Sequence, residues 1–220
     1  MVFAFAHSGL ASLRLKAEPI LGARLYRVIF ALVSITLAVP LFVYYFNHRY
    51  DGIQLWNLQD NWAIHELVLF LSAFAFFFLY PATFNLGEIT AIQKPQVHLF
   101  EVGITRVSRH PQLLGMTIWC IAHTLWLGTS FALVTAIGLV GYHLFGVWHG
   151  DRRLFARYGQ AFTDLKSRTS VIPFLAIVEG RQRFVWQEFI RPAYLGVIGV
   201  IILFRWLHPI VLSAASHWNW

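Results

Sequence analysis

Nearly charge-free apolar runs occupy five stretches of the chain, near 25–46, 62–80, 111–128, 130–148 and 192–212. Each has the length a helix needs to cross about 30 Å of hydrocarbon. The first run contains Pro40, a residue that kinks a helix in a bilayer without forbidding it. The third opens on Pro111, whose fixed φ and missing N–H suit the first position of a helix. Gly128-Thr129-Ser130 then leads straight into the fourth, so the third and fourth runs read as an antiparallel helical hairpin. Residues 1–13 are apolar but too few to span, and neither a charged leader nor a small-residue cleavage site marks them as a signal peptide. They read as a partial helix, inserted partway. The stretch 150–191 is the one sizeable polar piece, and Asp151 to Lys166 has helical spacing with Leu154, Phe155, Tyr158, Phe162 and Leu165 near one stripe. It is predicted to lie along the membrane surface. With no internal repeat, the chain reads as one membrane domain over 1–220, an all-α polytopic transmembrane helical bundle.

Composition supports that class. The chain is 58% hydrophobic and 12% charged with a mean hydropathy of +0.60, whereas a soluble globular chain carries about a quarter charged residues. A single cysteine excludes both a disulfide-stapled domain and a zinc site built on cysteine pairs. A net charge of +7 invites a nucleic-acid reading, but in a membrane protein basic residues gather in loops beside anionic lipid heads, and no nucleic-acid partner is expected. Arg14, Lys16, Arg24 and Arg27, then Lys94, Arg106 and Arg109, then the arginine-rich stretch 150–191 all fall on one side if five helices alternate. The positive-inside rule puts that side, with the N-terminus, in the cytoplasm or stroma. Trp56, Trp62, Trp218 and Trp220 fit the aromatic belt of the opposite interface.

Ten histidines raise the question of a metal. His48, His98, His149, His208 and His217 sit at segment ends, where an amphipathic ring is at home in the interface, and His65 and His143 lie within a turn or two of one. His123 is different: it stands in mid-segment, in a helix with no other ionisable group but Cys120, three residues earlier on the same face. Burying an ionisable group at that depth must be offset by a partner or a metal. A haem or copper environment meets that need, and so does a neutral imidazole bonded to a neighbouring helix. His7 is the second ligand to consider. It lies about 10 Å inside the basic end and His123 about 18 Å from the same side, so two imidazoles within the hydrocarbon can hold one iron. The string Gly103-Ile104-Thr105-Arg106-Val107-Ser108-Arg109-His110-Pro111-Gln112 puts two arginines and a histidine before a helix start. Such a cluster serves as a topogenic signal and cap, as an anion site, or as a seat for haem propionates at Arg109 and His110.

Five strings together carry a resemblance: His7-Ser8-Gly9-Leu10-Ala11, Asn47-His48-Arg49-Tyr50-Asp51-Gly52, Arg106 to Gln112, Trp119-Cys120-Ile121-Ala122-His123-Thr124-Leu125-Trp126, and His143 to Arg153. In this order, over nearly the whole chain, they closely resemble the 15-cis-zeta-carotene isomerases of plants, algae and cyanobacteria. These form a branch of the NnrU-like membrane proteins, whose other members are linked to nitrogen-oxide metabolism. The resemblance implies a haem b protein that turns the central 15-cis bond of tri-cis-zeta-carotene to trans, giving the di-cis isomer. It implies His7 and His123 as axial iron ligands and Cys120 as an alternative ligand in a redox-linked switch. It also implies a carotenoid substrate, lipid surroundings, desaturase neighbours, and a cyanobacterial thylakoid or plasma membrane or a plastid membrane. An aromatic-lined groove for the polyene is expected, with Phe74, Phe76, Phe77 and Phe78 as wall residues. Two other readings stand beside this one: a haem-bearing partner in nitrogen-oxide metabolism without isomerase activity, and a membrane methyltransferase. Arg109-His110-Pro111 and Leu154 to Pro173 resemble the isoprenylcysteine and phospholipid methyltransferases, but Gly150-Asp151 stands where those enzymes carry an acidic pair.

Overall fold

The computed structural model describes residues 2–83, 99–190 and 192–216. Among them the helices are α1 (Val2–Leu21), α2 (Ala23–His48), α3 (Trp62–Thr83), α4 (Ile104–Val107), α5 (Pro111–Leu127), α6 (Ser130–Tyr158), α7 (Gln160–Arg168), α8 (Leu175–Val178) and α9 (Pro192–Ser216), with a 3-10 turn at Trp186–Phe189. The one β feature among the described residues is an isolated bridge between Gln54 and Thr129. The protein is a polytopic helical membrane bundle. Four helices, α2, α3, α6 and α9, are long and apolar enough to cross a membrane. The expected span at 111–128 is present as α5, but at 17 residues it reaches about 25 Å and is shorter than those four.

The helices run further than the apolar stretches alone. α1 runs for 20 residues, through Arg14, Lys16 and Pro19, to a break at Gly22, and is not among the four long apolar helices. α6 continues as a helix beyond the apolar run that ends near Trp148, to Tyr158. For the same reason the surface helix expected over Asp151 to Lys166 is split, its first half belonging to α6 and its second to α7. The break is Gly159, whose φ of 51° is cheap only for a residue without a Cβ. Charged residues merely follow the helix out of the apolar layer; the glycine ends it. Of the expected stripe, Phe162 and Leu165 are buried while Phe155 is exposed.

The described residues divide into two compact units, 2–49 with 208–216, and 50–83 with 99–190 and 192–207. In the first, α1 folds back on α2, and the Tyr26 hydroxyl donates to the Leu10 carbonyl. In the second, α5 packs against α3 and α6. Its core joins Phe78, Ile104 and Val107 with Leu114, Ile118, Ile177 and Phe189. Close approach of α3 and α5 depends on Gly115, where an added Cβ would stand 2.8 Å from the Ala75 carbonyl oxygen. Small residues at such crossings are how helices pack when lipid removes the hydrophobic drive between them. The hairpin turn is built as the sequence suggests: Gly128 takes φ 64° after α5, and the Thr129 side chain caps α6 by accepting from the Ala132 N–H.

Candidate functional site

α5 carries both Cys120 and His123. Cys120 is 3% exposed, on a buried face with Thr124 and Leu127, while His123 is half-buried. The His123 ring stacks on Trp119, centroids 3.8 Å apart. Its Nδ1 donates to the Trp119 carbonyl at 2.9 Å. A carbonyl can only accept, so this bond puts the proton on Nδ1 and the lone pair on Nε2, the tautomer that can bind a metal. His143 makes the same back-bond, to Leu139 at 3.0 Å, so what sets His123 apart is its company of Trp119 and Cys120.

The last turn of α5 is held by one short loop. At a helix C-terminus the final carbonyls lack intrahelical donors. Here the Trp56 indole donates to Leu125 O at 3.0 Å, Gln59 to Trp126 O at 3.1 Å, and Gln54 to Leu127 O at 3.1 Å. The Leu55 N–H adds a 2.7 Å bond to Gly128 O. Trp56 therefore anchors the helix that carries His123, a more specific task than the interfacial belt, whereas Trp62 is 76% exposed as a belt residue is. Trp218 and Trp220 lie outside the described residues.

The N-terminal end of α5 is held by ions. His110 Nε2 donates to Asp151 Oδ1 at 2.7 Å, Arg109 Nη2 to Asp151 Oδ2 at 3.3 Å, and Lys166 Nζ stands 3.9 Å from the same carboxylate. Arg109 also donates to Thr169 Oγ1 at 3.2 Å, and its backbone N–H to Ser170 O at 2.7 Å. Asp151 thus closes the open end of the α5–α6 hairpin. His123 lies about 20 Å further along the helix from His110. A second network ties 99–108 to 180–190. Arg106 grips Glu188 with two bonds, at 2.9 and 3.0 Å, and donates to Gln182 at 2.8 Å. Gln182 donates to Glu101 at 2.9 Å, and Glu101 accepts from Arg168 at 3.0 Å. The Arg168 hydrogen bond holds the Glu101 carboxyl below its ordinary range.

His7, in the first unit, lies on the inner face of α1. Its Nδ1 is 2.9 Å from Ser34 Oγ on α2, and its ring packs between Phe3 and Phe30, at 5.2 and 4.6 Å. His48 stacks on Tyr44 and His65 meets the edge of Trp126, as residues near helix ends do. His98 and His217 lie outside the described residues. The four phenylalanines expected to wall one groove do not share one face. Phe78 belongs to the core, Phe74 packs on Phe70 and Phe78, and Phe76 and Phe77 turn to Phe204 and Tyr194 of α9. One residue escaped the sequence reading: Arg205 stands exposed in the middle of α9. The test that picked out His123, an ionisable group within an apolar run, picks out Arg205 as well.

An all-α chain with long apolar helices and an ion-paired basic end defines a polytopic membrane protein of the helical-bundle class. Within that class the chain belongs to the NnrU protein family, whose model matches residues 1–216. It is 50% identical over 223 residues to the protein named 15-cis-zeta-carotene isomerase, chloroplastic, of Zea mays. To the protein of the same name from Arabidopsis thaliana it is 48% identical over 223 residues. Each alignment covers 100% of this chain and 61% of the relative, so the chain spans about three-fifths of the length of these curated relatives. No solved structure matches it.

Proposed function

We propose that the chain is a haem-dependent 15-cis-zeta-carotene isomerase, turning the central bond of tri-cis-zeta-carotene to trans in a carotenoid-making membrane of a thylakoid or plastid. The observation that carries this reading is the near-half identity, over all of this chain, to two proteins bearing that name. The donor set fits the cofactor. Among the described residues no group of three His, Cys, Asp or Glu converges as a bare ion needs, but a porphyrin brings its own equatorial nitrogens and asks the protein only for axial donors. His123 and His7 are the residues that would hold the iron. The Trp119 carbonyl puts the His123 proton on Nδ1 and its lone pair on Nε2, while His7 Nδ1 faces the Ser34 hydroxyl, a group that can donate or accept. Cys120, one turn before His123, is the alternative donor. When bound, haem iron supplies a redox-variable, electron-withdrawing centre that can lower the order of the central double bond. The Gln54, Trp56 and Gln59 cap and the Asp151 latch hold the two ends of the helix that presents Cys120 and His123. In this reading Arg109 and His110 act through that latch and not on haem propionates, and Asp151 is spent on it instead of on a methyl donor.

The test is spectroscopic. Protein purified after haem-supplemented expression is expected to show a b-type Soret band that moves on reduction. His123→Ala is expected to lose the band while still inserting, and His143→Ala to keep it; Cys120→Ser is expected to change the redox titration more than the intensity. A colourless preparation, or an unchanged band in His123→Ala, contradicts the assignment.

A further inference from the structure

Residues 172–190, between α7 and α9, are fixed to the protein by polar and apolar contacts together: Gln182 is buried and, with Glu188, is a partner of Arg106, while Ala176 is buried and Ile177 and Phe189 pack on the core. Outward, beside the exposed Glu179, Arg181, Arg183 and Gln187, the segment shows Ile172, Phe174, Val178, Phe184, Trp186 and Ile190, which are 61, 46, 81, 53, 57 and 68% exposed. Six large apolar side chains exposed on one short segment are far from the scattered exposed residues of an ordinary surface.

The conformation keeps them outward. Phe174 adopts φ 62°, a left-handed conformation costly for a side chain with a Cβ, and its N–H donates to Val107 O at 2.9 Å. Arg181 and Arg183 are exposed on either side of the inward Gln182. The segment ends one residue before α9, a helix long and apolar enough to cross a membrane, so its apolar side starts at the boundary of the hydrocarbon. Across 150–191 eight Lys and Arg stand against four Asp and Glu.

We infer that 172–190 is an interfacial keel: its six apolar side chains enter the acyl region of one leaflet, and Arg183 binds the anionic head groups of that leaflet, whereas Arg181 is held by Glu179 and by the carbonyls of Ser167 and Thr169. Chain geometry sets the depth, because the Arg106, Gln182 and Glu188 network and the core contacts of Ile177 and Phe189 fix one side of the segment to the protein while the exposed aromatic and aliphatic tips reach outward. An arginine stem lies along apolar surface with its guanidinium at the phosphates, which adds attraction to an anionic leaflet and none to a zwitterionic one. This assignment is independent of the catalytic reading.

The experiment places a nitroxide at Val178→Cys or Ile190→Cys, both exposed sites, in protein reconstituted into vesicles of phosphatidylcholine with and without phosphatidylglycerol. Unlabelled-site background is read from the parent protein, whose Cys120 is buried. Collision with oxygen, which concentrates in acyl chains, is expected to exceed collision with a neutral nickel chelate several-fold at both sites. The ratio is expected to rise with phosphatidylglycerol, and Arg183→Glu is expected to abolish that rise. Nickel-favoured collision means water, and low collision with both probes means cover by protein; either result overturns the keel. Equal ratios in the two vesicle types overturn the head-group part of it.

Discussion

A single imidazole in the middle of an apolar helix is expensive, and the structure makes clear how His123 is accommodated: its Nδ1 proton goes to the carbonyl one turn back and its face to Trp119. Both contacts engage Nδ1 or the ring face. The sequence alone singled out His123 because charge and hydropathy patterns are local. His7 is reachable from its depth and from the resemblance, but its partners Ser34 and Phe30 lie on another helix and leave no local signal. At Gly128 the backbone itself is the constraint. A Cβ there would run into the Trp56 carbonyl oxygen, and φ is 64°. Gly128→Ala is expected to cost at least about 1–3 kcal/mol from the backbone conformation alone. It is also expected to unseat the Gln54 and Trp56 bonds, read as a lowered thermal midpoint in detergent. An unchanged midpoint would mean the loop does not clamp the helix.

Among the elements, α5 is the one whose fixing could not be read in advance. Its start at Pro111 and stop at Gly128 were legible from punctuation residues, but the donors to its last carbonyls come from positions 54–59, about seventy residues away in sequence. α6 outruns its apolar stretch for the opposite reason: a change from apolar to charged residues marks where a helix leaves the membrane, not where its hydrogen bonds stop. The segment 99–108 depends on tertiary ion pairs in the same way. The Arg168 hydrogen bond lowers the folded-state Glu101 pKa, so its contribution is present above the ordinary carboxylate range and is lost as pH falls through the lowered value. Limited proteolysis within 99–108 is therefore expected to accelerate only below the ordinary carboxylate range in the native protein. Glu101→Gln, which cannot titrate, is expected to show a flat profile. If both proteins respond to acid alike, Glu101 is not the group responsible.

For the molecule as a whole, the apolar excess is divided among four long spans, the shorter α5, and an outward apolar face on 172–190. The polar minority is placed with equal economy. Asp151 latches one end of the α5–α6 hairpin, Gln54, Trp56 and Gln59 the other, and Cys120 and His123 lie between. In the proposed reading, a long apolar polyene would need no water-filled site, only a rigid helix to present donors to it. The most direct test of that account is expression in a bacterium that accumulates tri-cis-zeta-carotene, in complete darkness, with product isomers resolved by chromatography. Light must be excluded because it isomerises the same bond. The account predicts conversion to the di-cis isomer with the native chain and none with His123→Ala. Tri-cis substrate left unchanged in the dark, in cells where the haem-loaded protein is inserted in the membrane, would contradict it.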